Sequence, residues 1–289
     1  MNMDIKLEKR PVTVSITSGK GGVGKTSLTV NLAVALSRKG ERVLIVDGDL
    51  GLANVDVLLR LNVDKNLRDV IENGEDPSDT VVAVSPNLSV LPASSGVPAM
   101  LNLGQREQSL LENLLRKVSS GYDWVLVDTA AGIGRPVLWL NNFADYPVIV
   151  VTADPTSMTD AYALIKVMAR DYDRSELHVV VNGSSSSSEG REVFKTLQGV
   201  AERFLQVRLH YLGSVPQDPE VAKAVRRQVP FLETSPDCKA ARAVLELSTA
   251  VEELKLRGSR GHNRPTPAAP MKRTRTGGNM KASHRVTER

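Results

Sequence analysis

Short apolar runs rich in valine and isoleucine alternate with longer amphipathic segments along most of the chain. Strands buried in a parallel sheet read as continuous apolar runs, whereas a repeat of 3.6 residues indicates helices. The apolar runs predict β-strands near residues 12–17, 42–47, 88–92, 123–128, 147–152, 177–182 and 209–215. The amphipathic segments predict helices near residues 25–39, 105–119, 134–144, 156–171, 190–206, 218–228 and 238–256. The alternation is typical of a three-layer α/β fold, in which helices flank both faces of a mostly parallel central sheet.

Composition narrows the class of protein. The 289 residues are 41% hydrophobic, which is enough to bury a substantial core. No apolar run approaches 18 residues and the amino terminus is charged, so we expect a cytoplasmic protein, with a peripheral position at the inner membrane or cell pole left open. A single cysteine, Cys238, excludes an internal disulfide and an iron–sulfur cluster held by several cysteines of one chain.

Charge divides the chain into two parts. The whole sequence has 37 Lys and Arg against 33 Asp and Glu, but residues 259–289 hold eight of the basic side chains and one of the acidic ones. Residues 1–258 therefore carry three more acidic than basic side chains, and nucleic-acid binding is not expected of this part. We predict one folded domain over residues 1–258 and a basic tail over 259–289 with the composition of a disordered segment.

A glycine-rich segment follows the first predicted strand and opens the first predicted helix. It reads Gly-Lys-Gly-Gly-Val-Gly-Lys-Thr over residues 19–26 and matches the phosphate-binding P-loop template. Glycines allow backbone N–H groups to surround a polyphosphate, Lys25 can reach the β- and γ-phosphates, and the Thr26 hydroxyl can ligate Mg²⁺. The nucleotide-binding residues predicted here are Gly19, Lys20, Gly21, Gly22, Val23, Gly24, Lys25, Thr26 and Ser27.

Carboxylates follow two other predicted strands. Asp47 and Asp49 end the strand at 42–47, and Asp128 ends the strand at 123–128. Because ligands of parallel sheets bind at the carboxyl ends of strands, we expect these side chains near the P-loop, with Asp128 holding Mg²⁺ directly or through water. The loop from Asp47 to Asn54 and the segment at Gly132 are candidate switch elements, although the first reads equally as a turn that uses Asp and Gly for backbone reasons.

Lys20 makes the P-loop resemble the deviant Walker A box of the MinD/ParA class of ATPases. In that class the extra lysine reaches across a dimer to phosphates of the partner subunit, so the resemblance implies a homodimer in ATP. It also implies that Asp49 orients the attacking water, with Lys20 as its catalytic companion. Asp47, with Thr26 and Asp128, would support the Mg²⁺ shell.

Three further segments resemble the FlhG (FleN) family of flagellar-number regulators. They are residues 49–56, 128–134 and above all 154–166, with additional matches at 189–205 and 223–233, and the resemblance covers residues 11 to about 256. It implies a slow ATP hydrolase that controls flagellar number and placement. The implied partners are an FlhF-type GTPase, a FleQ-type transcription activator or a flagellar C-ring protein.

The resemblance also assigns base recognition to Asn182 and to the turn that contains Pro216 and Asp218. An Asn side chain both donates and accepts, which suits the edge of adenine, and no Asn-Lys-x-Asp run for guanine is visible. The following run of serines at 184–188 is interpreted as a flexible loop. We expect the helix at 156–171 to be capped by Thr156, and its polar face either contacts a partner or is the outside of an ordinary core helix.

Two departures from the family pattern limit these implications. Residues 259–289 contain no Phe, Trp, Tyr, Leu or Ile, so an amphipathic membrane helix is not supported there, although electrostatic attraction to anionic lipid stays open. The glutamine-containing activator motif of some relatives is missing from residues 1–11, which argues against stimulation of FlhF. Two alternatives remain: a MinD/ParA-type ATPase that positions another cargo, and a mainly non-catalytic anti-activator binding module.

Overall fold

A twisted sheet of eight strands forms the middle layer of the part of the chain that the structure describes. The structure is a computed structural model that describes residues 10–49, 54–65, 69–70, 76–93 and 104–259, without the side chains of 257–259. The strands are β1 (Val12–Ser18), β2 (Val43–Gly48), β3 (Val82–Ser85), β4 (Leu88–Leu91), β5 (Trp124–Ala131), β6 (Tyr146–Val151), β7 (Glu176–Ser184) and β8 (Arg208–Pro216). Their order is β3-β4-β2-β5-β1-β6-β7-β8, and β3 alone among them is antiparallel to its neighbour.

The helices lie on both faces of this sheet. They are α1 (Lys25–Arg38), α2 (Val55–Leu59), α3 (Gln105–Ser119), α4 (Arg135–Phe143), α5 (Pro155–Tyr172), α6 (Ser187–Leu205), α7 (Pro219–Arg227), α8 (Phe231–Thr234) and α9 (Lys239–Ser259), with a 3₁₀ turn at Pro77–Thr80. On one face α1, α9 and the short helices α2, α7 and α8 cover the sheet. On the other face α3 and α4 cover β2 and β5, and α5 and α6 cover β6 to β8.

These elements confirm the predicted three-layer α/β fold. All seven predicted strands and all seven predicted helices are present within a few residues of their expected limits. The additional elements, β3, α2 and α8, are four or five residues long. Helix α1 is buried on nearly every side because it lies between the sheet and α9, so residues 28–36 are all buried.

Two predictions about helix starts are wrong. The α5 helix is capped by Asp154, whose carboxylate accepts the backbone N–H of Thr156 at 2.7 Å, so Thr156 lies inside the helix. The serine run is not a loop throughout, since α6 begins at Ser187 within it. Ser186 caps α6 by accepting the Glu189 N–H, while the Glu189 carboxylate accepts the Ser185 N–H, a reciprocal capping arrangement.

Some predictions fall outside the described residues. Residues 50–53 of the candidate switch loop from Asp47 to Asn54 and residues 260–289 of the predicted tail are among them. The division of the chain at residue 258 therefore stays a prediction. Of the helices that are described, none is both long and apolar enough to cross a bilayer.

Candidate nucleotide-binding site

The P-loop joins the carboxyl end of β1 to the start of α1, and its shape depends on glycine. Gly22 and Gly24 have φ values of 76° and 91°, a left-handed region in which other residues are strained. Gly24 is the N-cap of α1 and offers no side-chain acceptor to the first turn. The first N–H groups of a helix have no partner within it, so the start of α1 is suited to bind an anion.

Two close contacts hold this loop against the rest of the fold. A Cβ atom at Gly19 would overlap the backbone of Asp160 in α5, and one at Gly24 would overlap the side-chain amide of Asn182. The Asn182 Nδ2 also donates to the Val23 carbonyl at 2.7 Å. Asn182 thus supports the P-loop backbone, and its predicted contact with the base stays a prediction.

Lys25 is buried within the first turn of α1, with 9% of the residue exposed. Burial lowers the pKa of its amine, and the nearby carboxylates of Asp128 and Asp49 partly oppose that change. Lys25 therefore lies near two of the predicted carboxylates, Asp49 just after β2 and Asp128 within β5. A buried cation close to the start of a helix suits the charge of a terminal phosphate.

Asp128 joins the P-loop helix to β5 through two hydroxyl groups. Thr26 Oγ1 donates to Asp128 Oδ2 at 2.7 Å, and Thr29 Oγ1 lies 3.1 Å from Asp128 Oδ1. Asp128 is 2% exposed, and burial raises its pKa to about 7, with the Thr26 hydrogen bond opposing the rise and Asp47 adding to it. A buried carboxylate beside a threonine hydroxyl is a hard-oxygen donor pair of the kind that Mg²⁺ prefers, so these residues fit that ion.

Asp47, near the end of β2, lies beside Asp128 and in register with it, but its carboxylate has different hydrogen-bond partners. It accepts backbone N–H groups from Asp49 at 3.1 Å, Asn54 at 3.0 Å and Val55 at 3.2 Å. The residue is 1% exposed, and burial raises its pKa to about 6 against these three hydrogen bonds. Since Asn54 is the N-cap of α2 and makes no side-chain cap bond, the Asp47 carboxylate closes the loop and starts α2 in its place.

The described residues of both predicted switch segments lie at this end of the sheet. Asp49 is partly exposed and near enough to Lys25 to raise the pKa of that amine. Gly132, with a φ of 97°, donates its N–H to the Ser18 carbonyl at 2.8 Å. The predicted residues Asp47, Asp49, Asn54, Asp128 and Gly132 therefore converge around the P-loop, although their roles with nucleotide stay predictions.

Lys20 points to the first turn of α5. Its Nζ donates to Asp154 Oδ2 at 3.0 Å and to the hydroxyl of Thr156. The Thr156 hydroxyl in turn donates to Asp154 Oδ1, and its hydrogen bond, followed by that from Lys20, holds the pKa of Asp154 well below its usual range. Reasoning from the sequence missed this contact, for which the only signal was the Asp-Pro-Thr order of a capped helix start.

The other two residues predicted to meet the base lie at the end of β8. Pro216 pairs with Ser184, and the next residue, Gln217, donates its N–H to the Ser184 carbonyl at 2.8 Å. Asp218 caps two helices, since Oδ1 accepts the Glu220 N–H of α7 at 3.0 Å and Oδ2 accepts the N–H of Ala240 in α9 at 3.3 Å. The structure thus shows Asp218 in a capping role, and its contact with nucleotide stays a prediction.

Comparison with known proteins agrees with this geometry. The ParA family, described as NUBPL iron-transfer P-loop NTPase, matches residues 10–252. The antiactivator FleN of Pseudomonas aeruginosa is 42% identical over 86% of this chain and 89% of its own length. The flagellum site-determining protein YlxH of Helicobacter pylori is 35% identical over 74% of this chain and 73% of its own.

Solved structures show the same architecture. The septum site-determining protein MinD of Pyrococcus horikoshii, in complex with Mg-ADP, superposes with a TM-score of 0.69 at 25% identity. The match covers 85% of this chain and 97% of that one. The expected three-layer P-loop fold is therefore confirmed.

Proposed function

This chain belongs to the ParA family of P-loop NTPases, and on that premise we propose that it is a slow ATP hydrolase that dimerises with ATP and Mg²⁺. The observation that carries the proposal is the meeting of Lys25, Thr26 and Asp128 at the start of α1. These three groups come from two separate elements, the helix after β1 and strand β5. Their side chains are those that a P-loop enzyme uses for phosphate and for Mg²⁺.

Each residue has a distinct part in this proposal. The N–H groups at residues 19–26 and the start of α1 bind the phosphates, and Lys25 balances their charge. Thr26 and Asp128 would hold Mg²⁺, which when bound would supply positive charge to the phosphates. Asp49 orients the attacking water, which matters because phosphoryl transfer depends mostly on placement and charge. The Lys20 amine contacts phosphates that are bound to the partner subunit.

Asp47 supports the metal site indirectly, by holding the loop beside it. Both of its oxygens accept backbone N–H groups, so its place in this proposal is to keep the loop after β2 closed beside Asp128. Loss or gain of a γ-phosphate near Asp49 then changes the conformation of the same loop. This is the usual way in which a nucleotide acts on a switch segment.

Adenine is the base that we propose for this site. Asn182 already donates to the P-loop through Nδ2, which leaves its Oδ1 as an acceptor for the exocyclic amine of adenine. Guanine has a carbonyl at that position, so its oxygen and Asn182 Oδ1 would both be acceptors and could not form a hydrogen bond. The proposal is therefore ATP rather than GTP.

The output that we propose is control of flagellar number and placement. It rests on similarity to proteins named as a FleN antiactivator and a flagellum site-determining protein. The proposed partners are a FleQ-type activator, an FlhF-type GTPase or a C-ring protein. Helix α5 suits such a contact because it buries one face through Ala161, Leu164 and Ile165 and leaves Lys166 exposed on another.

Iron transfer, which the description of the ParA family mentions, is not part of this proposal. Cluster carriers need several cysteine ligands, and the whole sequence has only Cys238. In the described structure Cys238 lies beside the caps of α9, where its sulfur accepts the Ala241 N–H.

A mainly non-catalytic anti-activator function is the second candidate, favoured by the name of the FleN relative.

Nucleotide binding and light scattering test the proposal. Wild-type protein should bind ATP in Mg²⁺ and form a dimer that reopens on hydrolysis, whereas Lys25→Ala should not bind. Asp49→Ala should bind ATP and remain dimeric. Equal ATP affinity of wild type and Lys25→Ala would overturn the proposed site.

Capture of a purified FleQ-type activator separates the two outputs. If Asp49→Ala captures the activator in ATP and wild type releases it as ATP is consumed, hydrolysis sets the lifetime of the complex. Equal capture by both proteins, with and without nucleotide, would favour the non-catalytic module.

A further inference from the structure

Thr29 is a buried threonine in the second turn of α1, and the P-loop template assigns it no role. The residue is 0% exposed and lies between the buried apolar residues Leu28 and Val30. A hydroxyl group in such surroundings needs a hydrogen-bond partner, because burying it without one is unfavourable. Its oxygen lies 3.0 Å from the Lys25 carbonyl and 3.1 Å from Asp128 Oδ1. The second of these contacts joins α1 to β5.

The two threonine hydroxyls of α1 contact different oxygens of the Asp128 carboxylate. Residues three apart lie on the same face of a helix, so Thr26 and Thr29 both point to β5. Thr26 donates to Oδ2 at 2.7 Å, whereas Thr29 is within hydrogen-bond distance of Oδ1. Only Thr26 is a proposed Mg²⁺ ligand. Thr29 is therefore placed to hold the carboxylate without competing with Thr26 for the ion.

The Thr29 hydroxyl has one proton, so it donates either to the Lys25 carbonyl or to Asp128. A carbonyl inside an α-helix already accepts the backbone N–H four residues later, and an added bond from a threonine hydroxyl there contributes little to stability. A hydrogen bond to an ionised carboxylate is about twice as strong as one between neutral groups. The hydroxyl therefore favours Asp128 when that carboxylate is ionised, which is the form that binds a metal ion.

We propose that Thr29 is a positioning residue for the Mg²⁺ site, which holds Oδ1 of Asp128 so that Oδ2 stays beside Thr26. This inference rests on the proposed function, in which Thr26 and Asp128 hold Mg²⁺. Hydrogen bonds from surrounding residues fix the orientation of metal-binding carboxylates, and their loss typically lowers metal affinity by about 10- to 100-fold. The effect of Thr29 should therefore appear in the Mg²⁺-dependent part of nucleotide binding.

Three substitutions at Thr29 separate the hydroxyl from the methyl group. Thr29→Val replaces the hydroxyl with a second methyl and keeps the branched shape. Thr29→Ser keeps only the hydroxyl, and Thr29→Ala keeps neither but favours helix, so it serves if the valine variant does not fold. Ser248→Ala in α9 is the matched control. Ser248 is also 0% exposed, and its hydroxyl donates to the Leu245 carbonyl of its own helix at 2.7 Å.

The affinity for ADP, measured in EDTA and over a range of Mg²⁺ concentrations, tests the proposal. ADP is not hydrolysed, so the result does not depend on enzymatic activity. Wild type should bind ADP more tightly in Mg²⁺, and the quantity compared is the Mg²⁺ concentration that gives half of this gain. We expect Thr29→Val and Thr29→Ala to need about 10- to 100-fold more Mg²⁺, with wild-type ADP affinity in EDTA. Thr29→Ser and Ser248→Ala should stay close to wild type.

The results distinguish the role of Thr29 from the existence of the site. An unchanged Mg²⁺ requirement in Thr29→Val and Thr29→Ala overturns the positioning role, and so does an equal loss of ADP affinity with and without Mg²⁺. A Thr29→Ser protein that behaves like Thr29→Ala would assign the effect to the lost methyl group and contradict the hydrogen bond. Asp128→Asn is the reference for the site. If it gains as much from Mg²⁺ as wild type does, the proposed metal site fails and the positioning role fails with it.

Discussion

Asp47 and Asp128 are register partners on neighbouring strands, yet one carboxylate is held by backbone N–H groups and the other by threonine hydroxyls. The pair divides the work of the site. The Asp47 carboxylate fixes the conformation of the loop that leads to α2. The Asp128 carboxylate faces the P-loop helix, where a bound cation can take the place of the threonine hydroxyl donors. Changes at the two positions should therefore have different signatures.

Asp128→Asn should stabilise the protein in EDTA at pH 8. Burial raises the folded-state pKa of Asp128 from 3.8 to about 7, so between these values the folded protein holds the proton that the unfolded chain has lost. The contribution of Asp128 to the free energy of unfolding is fully present at low pH. It falls by about 1.4 kcal/mol for each pH unit as the pH rises toward 7. The neutral amide avoids that loss.

Thermal unfolding at two pH values checks this prediction. In EDTA the melting temperature of Asp128→Asn should exceed that of wild type by several degrees at pH 8, and the difference should shrink toward pH 5. The variant should gain no stability from Mg²⁺ with nucleotide. A lower melting temperature than wild type at both pH values would contradict the account.

Asp47→Asn should loosen the start of α2. An amide has a single oxygen acceptor, so it cannot accept all three of the backbone N–H groups that meet this carboxylate. We expect a loss of about 1–3 kcal/mol in local stability. Hydrogen exchange should accelerate at the amides of Asp49, Asn54 and Val55.

Asp56→Asn is the control for that experiment. Asp56 lies in α2, and its carboxylate accepts the N–H of the adjacent Val57 at 2.8 Å. Exchange at residues 49 and 54 should stay as in wild type. Equal acceleration in both variants would mean that α2 responds to any lost carboxylate.

Gly24→Ala should distort the P-loop. The residue has a φ of 91°, and an added methyl group would overlap the Asn182 amide that supports the loop. Alanine in this region of backbone space costs about 1–2 kcal/mol before the displaced amide is counted. Both the free energy of unfolding and nucleotide affinity should fall, as urea titration and ATP binding would show.

Gly121→Ala is the matched comparison, because a Cβ atom there meets no atom within 4 Å and φ is not positive. It should bind ATP like wild type. Wild-type affinity in Gly24→Ala would show that the loop adapts to the methyl group.

Asn182→Ala should weaken nucleotide binding and reduce the preference for ATP over GTP. The change removes the hydrogen bond to the Val23 carbonyl, which is worth about 1 kcal/mol, together with the proposed acceptor for adenine. Affinities for both nucleotides, measured under the same conditions, check this outcome. An unchanged ratio with both affinities reduced would confine Asn182 to supporting the loop.

The buried elements could be predicted from the sequence because the apolar residues that burial requires are consecutive in the chain. Strand β2 is apolar up to Asp47, β6 has no charged residue, and α1 follows a P-loop. Strand β3 was missed because its four residues lie at an edge and are partly or fully exposed, so no apolar run marks it. Helix α2 is too short to show a period and depends on Asp47, eight residues earlier.

The site was predictable in its membership but not in its contacts. Lys25, Thr26 and Asp128 follow from motif spacing and from the rule that parallel strands end together. The contact of Lys20 with Asp154 joins residues 134 positions apart, so no local pattern indicates it. The cap of α5 is Asp154 rather than Thr156, a choice for which the Pro155 between them was the available local signal.

The double cap made by Asp218 gives helix α9 a mechanical property. The carboxylate fastens the start of this 21-residue helix to the turn after β8, at the nucleotide end of the sheet. Such a helix is about 30 Å long, so a rotation about that turn moves its far end more than its start. A tilt of about 5° at Asp218 would displace the far end by roughly 2–3 Å, so a small rotation at the turn after β8 would become a larger movement at the other end of α9.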